Sequence, residues 1–287
     1  MSAPAMTTSI TPAAATSATA STTGSRGLRI DAKNLVRRYT RADGTVLQAL
    51  GPLDLSLEPG EFFSIVGPSG CGKSTMIDIL SGLAPPDEGS VSADGVPYRG
   101  VPDGVGLVLQ EDASFPWLSV RDNVAFGLKR LARRPDDLAE RVDHAIDFMG
   151  LADFAHARPS QLSGGMRQRM CIARTLVLRP RFLLLDEPFG ALDQQTRLLM
   201  GDELLRIWRE TGATVLLITH SLDEAAMLSD RVGIMSARPG RLLEVLPTGW
   251  QRERDSTVAS SAAFGALTAH LWEQLRGESM KSMRGNV

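Results

Sequence analysis

Four short stretches of this chain are apolar at nearly every consecutive position: FFSIV at 62–66, FLLL at 182–185, VLLI at 215–218 and VGIM at 232–235. A strand with one face in water alternates apolar and polar residues, so unbroken runs of this length predict strands covered on both faces, as in a parallel sheet. The first run leads through a glycine-rich loop into STMIDILSGL, which reads as a helix ended by Gly82 and the Pro85-Pro86 pair. Between the second and third, RLLMGDELLRIWRETG has helical spacing and stops at Gly212. Ahead of them all, LRIDAKNLVRRY and TVLQALGPLDLSL are β-type stretches punctuated by Asp43-Gly44 and Pro59-Gly60, which predicts a small antiparallel sheet over about 27–61.

The period changes between about Gln110 and Arg179. In DDLAERVDHAIDFMGL, Leu138, Val142, Ala145, Ile146 and Met149 fall on one helical face. The predicted fold class is therefore α/β: one domain over 27–242, with a small antiparallel β subdomain and an α-helical subdomain inserted at about 111–178. Residues 243–287 are expected to form a C-terminal helical extension, whose Phe264, Leu267, Leu271 and Leu275 recur at helical spacing. That stripe predicts a helix packed on its own domain.

Composition narrows the possibilities without naming a chemistry. The 287 residues are 43% apolar, enough for a sizeable core, and 31 basic against 33 acidic residues leave a formal charge of -2. No global electrostatic attraction to a polyanion follows, and nucleic acid is not an expected partner. No apolar run approaches the ~20 residues of a membrane-spanning helix, so a membrane role has to come through a partner. The first 26 residues are almost entirely Ala, Ser, Thr and Pro and read as a disordered tail. Cys71 and Cys171, 100 positions apart, give neither metal-ligand spacing nor a disulfide framework, which points to a reducing, cytosolic compartment. The basic run KRLARR at 129–134 reads as a solvated helix face, given the acidic residues after it.

Chemistry enters at GPSGCGKST, residues 67–75, which matches G-x-x-x-x-G-K-[ST] between a strand and a helix and predicts a P-loop NTPase core of RecA-like type. Glycines let the backbone N–H groups of Gly67, Pro68-Ser69, Gly70, Cys71 and Gly72 turn around a phosphate, apart from proline's missing donor, and the helix N-terminus adds positive potential. Lys73 is placed to reach the β- and γ-phosphates and Ser74 to ligate Mg²⁺, with Thr75 completing the loop. The same helix terminus is expected to lower the Cys71 pKa and make the thiol open to alkylation. At RFLLLDEP, 181–188, an apolar strand ends in adjacent carboxylates at the sheet edge where ligands of α/β folds bind. Asp186 suits Mg²⁺, and Glu187 suits orienting and deprotonating an attacking water. Lys73 and Asp186 stand 113 positions apart with the helical insert between them, and no N-K-x-D guanine-reading motif occurs. A compact GTPase is thereby excluded.

A Ser-Gly-Gly step, in QLSGGMRQRM at 161–170, also opens a helix. With it, five motifs between about Gly27 and Arg241 occur in an order that resembles the nucleotide-binding subunits of ATP-binding-cassette (ABC) transporters. The resemblance implies ATP and Mg²⁺ as cofactors and a stacking role on adenine for Tyr39 in VRRYT. By itself, a tyrosine at a strand end is as compatible with packing. It further implies that Gln110 in LVLQED contacts Mg²⁺ and water, and that His220 in LITHS senses the γ-phosphate. Asp193 in GALD would cross a dimer interface. Leu162, Ser163, Gly164, Gly165 and Met166 form the signature, which acts on the nucleotide of a second copy. The family usually reads LSGGQ, and Met166 departs from it; the parts that meet phosphate are intact, so activity is expected to persist.

The wording around the motifs, FPWLSVRDNVAFGL, FGALDQQTR, WRETGATVLLITHSLDEA and DRVGIMSARPGR, resembles ATPases of nitrate, sulfonate, taurine and related importers. That implies an ATPase bound peripherally at the cytoplasmic face of the membrane, working with integral permease subunits and indirectly with an extracytoplasmic solute-binding protein. Phe115, Trp117 and Leu118 are placed either to touch the permease or to fill the helical subdomain's own core. The competing reading is a soluble ABC ATPase acting on DNA or ribosomes. Those generally carry two cassettes or a long coiled-coil insertion, and neither is present here.

Overall fold

The computed structural model describes residues 27–110, 113–130 and 136–284. The 1–26 tail, Glu111 and Asp112 of LVLQED, and all but Lys129 and Arg130 of the basic run lie outside the described residues. Lys129 pairs with Asp122 at 2.8 Å, and the Arg130 guanidinium covers the Phe126 ring at 5.0 Å, as a solvated helix face does.

Two sheets organise the chain. The first, antiparallel, has the order β2-β1-β4-β5, made by β1 (Ile30–Thr40), β2 (Val46–Leu57), β4 (Glu88–Ala93) and β5 (Val96–Pro97). The second runs β10-β9-β3-β8-β7-β6, from β3 (Phe62–Val66), β6 (Val105–Val108), β7 (Phe182–Asp186), β8 (Thr214–Thr219), β9 (Arg231–Met235) and β10 (Leu242–Pro247). The five strands from β9 to β6 pair in parallel, and β10 joins the β9 side antiparallel. The expected helical extension thus begins with a strand over 242–247. Backbone pairing with β9 outweighs the weak local signal of LLEVLP, whose alternate residues stay half exposed.

The unbroken apolar runs are explained by the sheet's two faces. Phe62, Val66, Leu183, Leu185, Val215 and Leu217 join one core, while Phe63, Ile65, Phe182, Leu184, Leu216 and Ile218 join the other. Successive side chains point to opposite faces, so both registers of each strand must be apolar. The first core takes helices α2 (Val120–Arg130), α3 (Leu138–Phe148), α4 (Gly164–Leu176), α5 (Gln194–Thr211), α6 (Leu222–Leu228) and α7 (Ala262–Arg284); the second takes α1 (Lys73–Leu80) and the antiparallel sheet. Trp208 of α5 is buried edge-on to Phe62 with centroids 5.7 Å apart, and its Nε1–H donates to the Gly60 carbonyl at 3.1 Å.

The apolar face read in α3 is present: Val142, Ile146 and Met149 are buried, with Leu138 and Ala145 packed against the same core. In α7, Phe264, Leu271 and Leu275 are buried against α6 and β9, so this helix does pack on its own domain. Its last turns reach further than the stripe implies. Glu278 accepts from the Ala237 N–H at 2.8 Å, and the Ser282 hydroxyl donates to the Ser69 carbonyl at 3.2 Å. No helix among the described residues is long and apolar enough to cross a membrane.

Candidate functional site

The C-terminal ends of β3, β6, β7 and β8 deliver four loops to one edge of the parallel sheet. Between them and β1–β2 lies a cleft of about 620 Å³. Tyr39, Ser69, Gly70, Gly72, Lys73, Ser74, Thr75, Gln110, Asp186, Glu187 and His220 all line it. Nearly every residue assigned from the sequence to nucleotide or catalysis is therefore brought together. Gly67, Pro68 and Cys71 sit behind the loop as its buried base.

The loop's glycines are steric requirements. Gly72 has φ +111°, and a Cβ there would lie 2.6 Å from the Ala49 carbonyl oxygen; Gly70 has φ +72°. L-residues rarely adopt such conformations. The Lys73 ammonium, nearly buried, donates to the carbonyls of Gly67 at 2.8 Å and Pro68 at 3.0 Å, so the loop curls around its own lysine.

Cys71 requires a correction. Its side chain is 1% exposed, and burial pushes the thiol pKa up, against a smaller downward pull from Lys73. The helix terminus that was expected to activate it is outweighed by desolvation, and the sulfur is closed to alkylation.

At the end of β7, Asp186 is buried and accepts no side-chain hydrogen bond among the described residues, and its pKa is pushed up to about 6 by burial first and the neighbouring Glu187 charge second. A buried carboxylate without a partner, facing a cleft beside Ser74, fits a divalent cation. Among the described residues no group of three or more His, Cys, Asp or Glu is arranged to hold a metal. Phosphate oxygens and water would have to supply most ligands, which is how Mg²⁺ is usually held beside nucleotides.

Glu187 leaves the strand with φ +46°, a left-handed conformation uncommon for a residue with a side chain. Its N–H still donates to the Ile218 carbonyl at 2.8 Å, so the backbone turns at the strand's last ladder bond. Glu187 Oε2 accepts from Gln110 Nε2 at 2.9 Å and lies 3.2 Å from His220 Nδ1. Three residues from three separate strand ends thus meet on one carboxylate oxygen. Tyr39, 40% exposed, has Arg37 over its ring at 5.2 Å and its hydroxyl 3.4 Å from Thr75 Oγ1.

Residues 162–166 and Asp193 do not line this cleft. Ser163 caps α4, accepting from the Met166 N–H at 3.3 Å, and Asp193 caps α5, accepting from the Thr196 N–H at 3.0 Å. The two caps are neighbours: a Cβ on Gly165 would lie 2.8 Å from Leu192 Cδ2. Met166 packs half-buried against the main core. Gln168, buried, donates from Nε2 to the Leu109 carbonyl at 3.4 Å, joining α4 to the residue before Gln110. In the 115–118 turn Trp117 is 68% exposed, whereas Phe115 is half-buried against Phe126 at 4.4 Å, under the Arg174 guanidinium at 4.9 Å.

Sequence reasoning missed Arg238, which lines the cleft and donates from Nε and an Nη to the Gly70 carbonyl at 3.1 and 2.9 Å. A single arginine in a loop carries no periodic or motif signal, and only the fold brings it to the phosphate loop.

A family model described as ABC transporter matches residues 50–190. A putative ATP-binding protein of Brucella abortus is 44% identical over 244 residues, 85% of this chain and 92% of that protein. The taurine import ATP-binding protein of Ruegeria pomeroyi is 43% identical over 75% of this chain and 80% of its own length. For the nitrate import ATP-binding protein of Synechococcus elongatus the figures are 44%, 73% and 78%. Among solved structures, the ATP-binding cassette MJ0796, a dimer in a post-hydrolysis state bound to ADP and Pi, superposes with TM-score 0.70 at 31% identity, covering 77% of this chain and all of that one.

Proposed function

This chain belongs to the ABC transporter family, and on that premise we propose that it energises import of a small anionic solute, of the nitrate, alkanesulfonate or taurine kind, through permease subunits in the membrane. It is an ATPase, with ATP as its nucleotide. Two copies sandwich two ATP molecules head to tail, close on binding and reopen after hydrolysis. The subunit lies at the cytoplasmic face of the membrane, and an extracytoplasmic solute-binding protein delivers cargo from the other side. Trp117, exposed at the edge of the helical subdomain, supplies apolar surface to the permease.

The chemistry follows from the cleft. Tyr39 offers the ring face opposite Arg37 to adenine. The N–H groups of the 67–75 loop and the α1 terminus hold the phosphates, and Lys73 exchanges its loop carbonyls for phosphate oxygens, gaining charge-assisted bonds. Ser74, Asp186 and Gln110 would hold Mg²⁺, which when bound offsets charge on the β- and γ-phosphate oxygens. Glu187 orients a water and takes its proton as the oxygen attacks phosphorus. His220, beside that carboxylate, donates to the γ-phosphate and keeps the carboxylate turned toward the water. Ser163, Gly164 and Gly165 of the second copy close the site, and Asp193 contacts that copy at the interface.

The observation that supports this most is a division of labour: Lys73, Ser74, Asp186, Glu187 and His220 line one cleft, while Ser163, Gly164 and Gly165 lie outside it. Glu187→Gln tests it. The variant is expected to bind Mg-ATP, turn over at least a hundredfold more slowly and elute as an ATP-dependent dimer in size-exclusion chromatography. A variant that hydrolyses normally, or stays monomeric with ATP, overturns the reading. Co-purification with ribosomes or DNA in place of a permease would overturn the transport assignment.

A further inference from the structure

One buried charge is not used by the chemistry above. Glu224, on the first turn of α6, is 5% exposed, and burial pushes its pKa up against the pull of its partners. Its Oε2 accepts from the Thr219 hydroxyl at 2.6 Å, and its Oε1 lies 3.2 Å from Arg197 Nε. Thr219 is the last residue of β8, directly before His220, and its Oγ1 also accepts from the Ser221 N–H at 3.0 Å. Arg197 is one turn into α5, where an Nη donates to the Leu192 carbonyl at 3.1 Å. Polar contacts therefore run from the Leu192 carbonyl through Arg197 and Glu224 to Thr219, whose backbone leads directly into His220, and from His220 on to Glu187 and Gln110.

Arg197 keeps 30% of its side chain exposed, so losing the Glu224 charge leaves the guanidinium hydrated rather than stranded, and the pair matters more for geometry than for stability. Here the Arg197 Nε–H is buried yet not aimed well enough at any acceptor to form a hydrogen bond. The ion pair is thus short of its best geometry, and a small shift of the 192–193 loop would align or part it.

We propose that Arg197 and Glu224 are positioning residues for hydrolysis, fixing the His220 end of β8 through Thr219 and tying it to the 192–193 loop. Contact of that loop with a second copy then reaches Glu187 and His220 without passing through the nucleotide. The part of this inference that concerns loop contact rests on the dimer reading above.

The test is steady-state ATPase kinetics on the full chain. Glu224→Gln, nearly isosteric, should lower kcat on the order of tenfold, with KM for ATP and the thermal midpoint close to wild type. Arg197→Gln should do the same, and Arg197→Lys, which keeps the charge, should recover part of the loss. Thr219→Val combined with Glu224→Gln should be no slower than either alone, because both break one relay. A wild-type kcat in Glu224→Gln overturns the proposal, as do losses in the double variant that multiply. So does a fall in kcat matched by an equal fall in thermal stability and recovered on cooling, which marks a packing role. Failure of the dimer reading is seen separately, as an absent ATP-dependent dimer of Glu187→Gln.

Discussion

At the scale of single residues, Asp186 and Cys71 show how burial overrides local sequence. The Asp186 pKa rises from an ordinary 3.8 to about 6. A carboxyl whose folded pKa lies above its unfolded one contributes stability fully below the unfolded value and loses it as pH rises through the folded value. The metal-free chain should therefore give up on the order of 2 kcal/mol at this residue between about pH 4 and pH 7. Asp186→Asn removes that penalty. In EDTA its thermal midpoint should exceed wild type near neutrality and converge with it at acid pH, while ATP hydrolysis is lost; a variant less stable than wild type at neutral pH would refute this. Cys71 makes the complementary case. Iodoacetamide should label it in the urea-unfolded chain and leave it untouched in the native one, and fast native labelling would contradict its burial. The identity of both residues was legible in the sequence, because motif spacing fixes which residue stands in which loop. Their protonation behaviour was not, since it is set chiefly by burial, which only the fold brings about. The left-handed turn at Glu187 was equally hidden, for nothing in DEP marks it.

At the scale of elements, legibility followed the strength of the pattern. The buried strands announced themselves because both faces are apolar. The pair β4–β5 did not, since EGSVSA buries only Val91 and lies in a small sheet whose register comes from β1. The same holds for β10, which the sequence pattern places at the start of the helical extension and which becomes a strand by pairing with β9. The α7 stripe was legible as amphipathic, and the partner it covers can be tested. Leu271 is fully buried, whereas Trp272, next to it, is 56% exposed. Leu271→Ala should cost about 2–4 kcal/mol by removing transfer energy and leaving a cavity. Trp272→Ala should cost less than about 1 kcal/mol. Urea unfolding of both variants separates the readings: equal losses would mean that α7 is held by its outer face or by other contacts.

At the scale of the whole molecule, the question is why a chain whose cleft gathers the 67–75 loop, Asp186 and Glu187 also carries the Ser-Gly-Gly helix start at 163–165 outside it. If Ser163–Gly165 serves the nucleotide of a second copy, defects on the two sides must complement each other. A Ser163→Arg homodimer has two intact phosphate loops and two blocked signatures, and a Lys73→Ala homodimer has the reverse. Each alone should be inactive. Mixed in equal amounts and exchanged, half the dimers pair one of each, and each such dimer contains one site built from an intact loop and an intact signature. About a quarter of the wild-type site count should then reappear. Scoring a single turnover makes the result independent of whether the two sites must fire together. Ser163→Arg should also bind ATP as a monomer with nearly wild-type affinity, because Ser163 lies outside the cleft that holds Lys73. Were the signature to act on its own chain's nucleotide, mixing would restore nothing and the monomer's affinity would fall, since every intact loop would remain joined to a blocked signature.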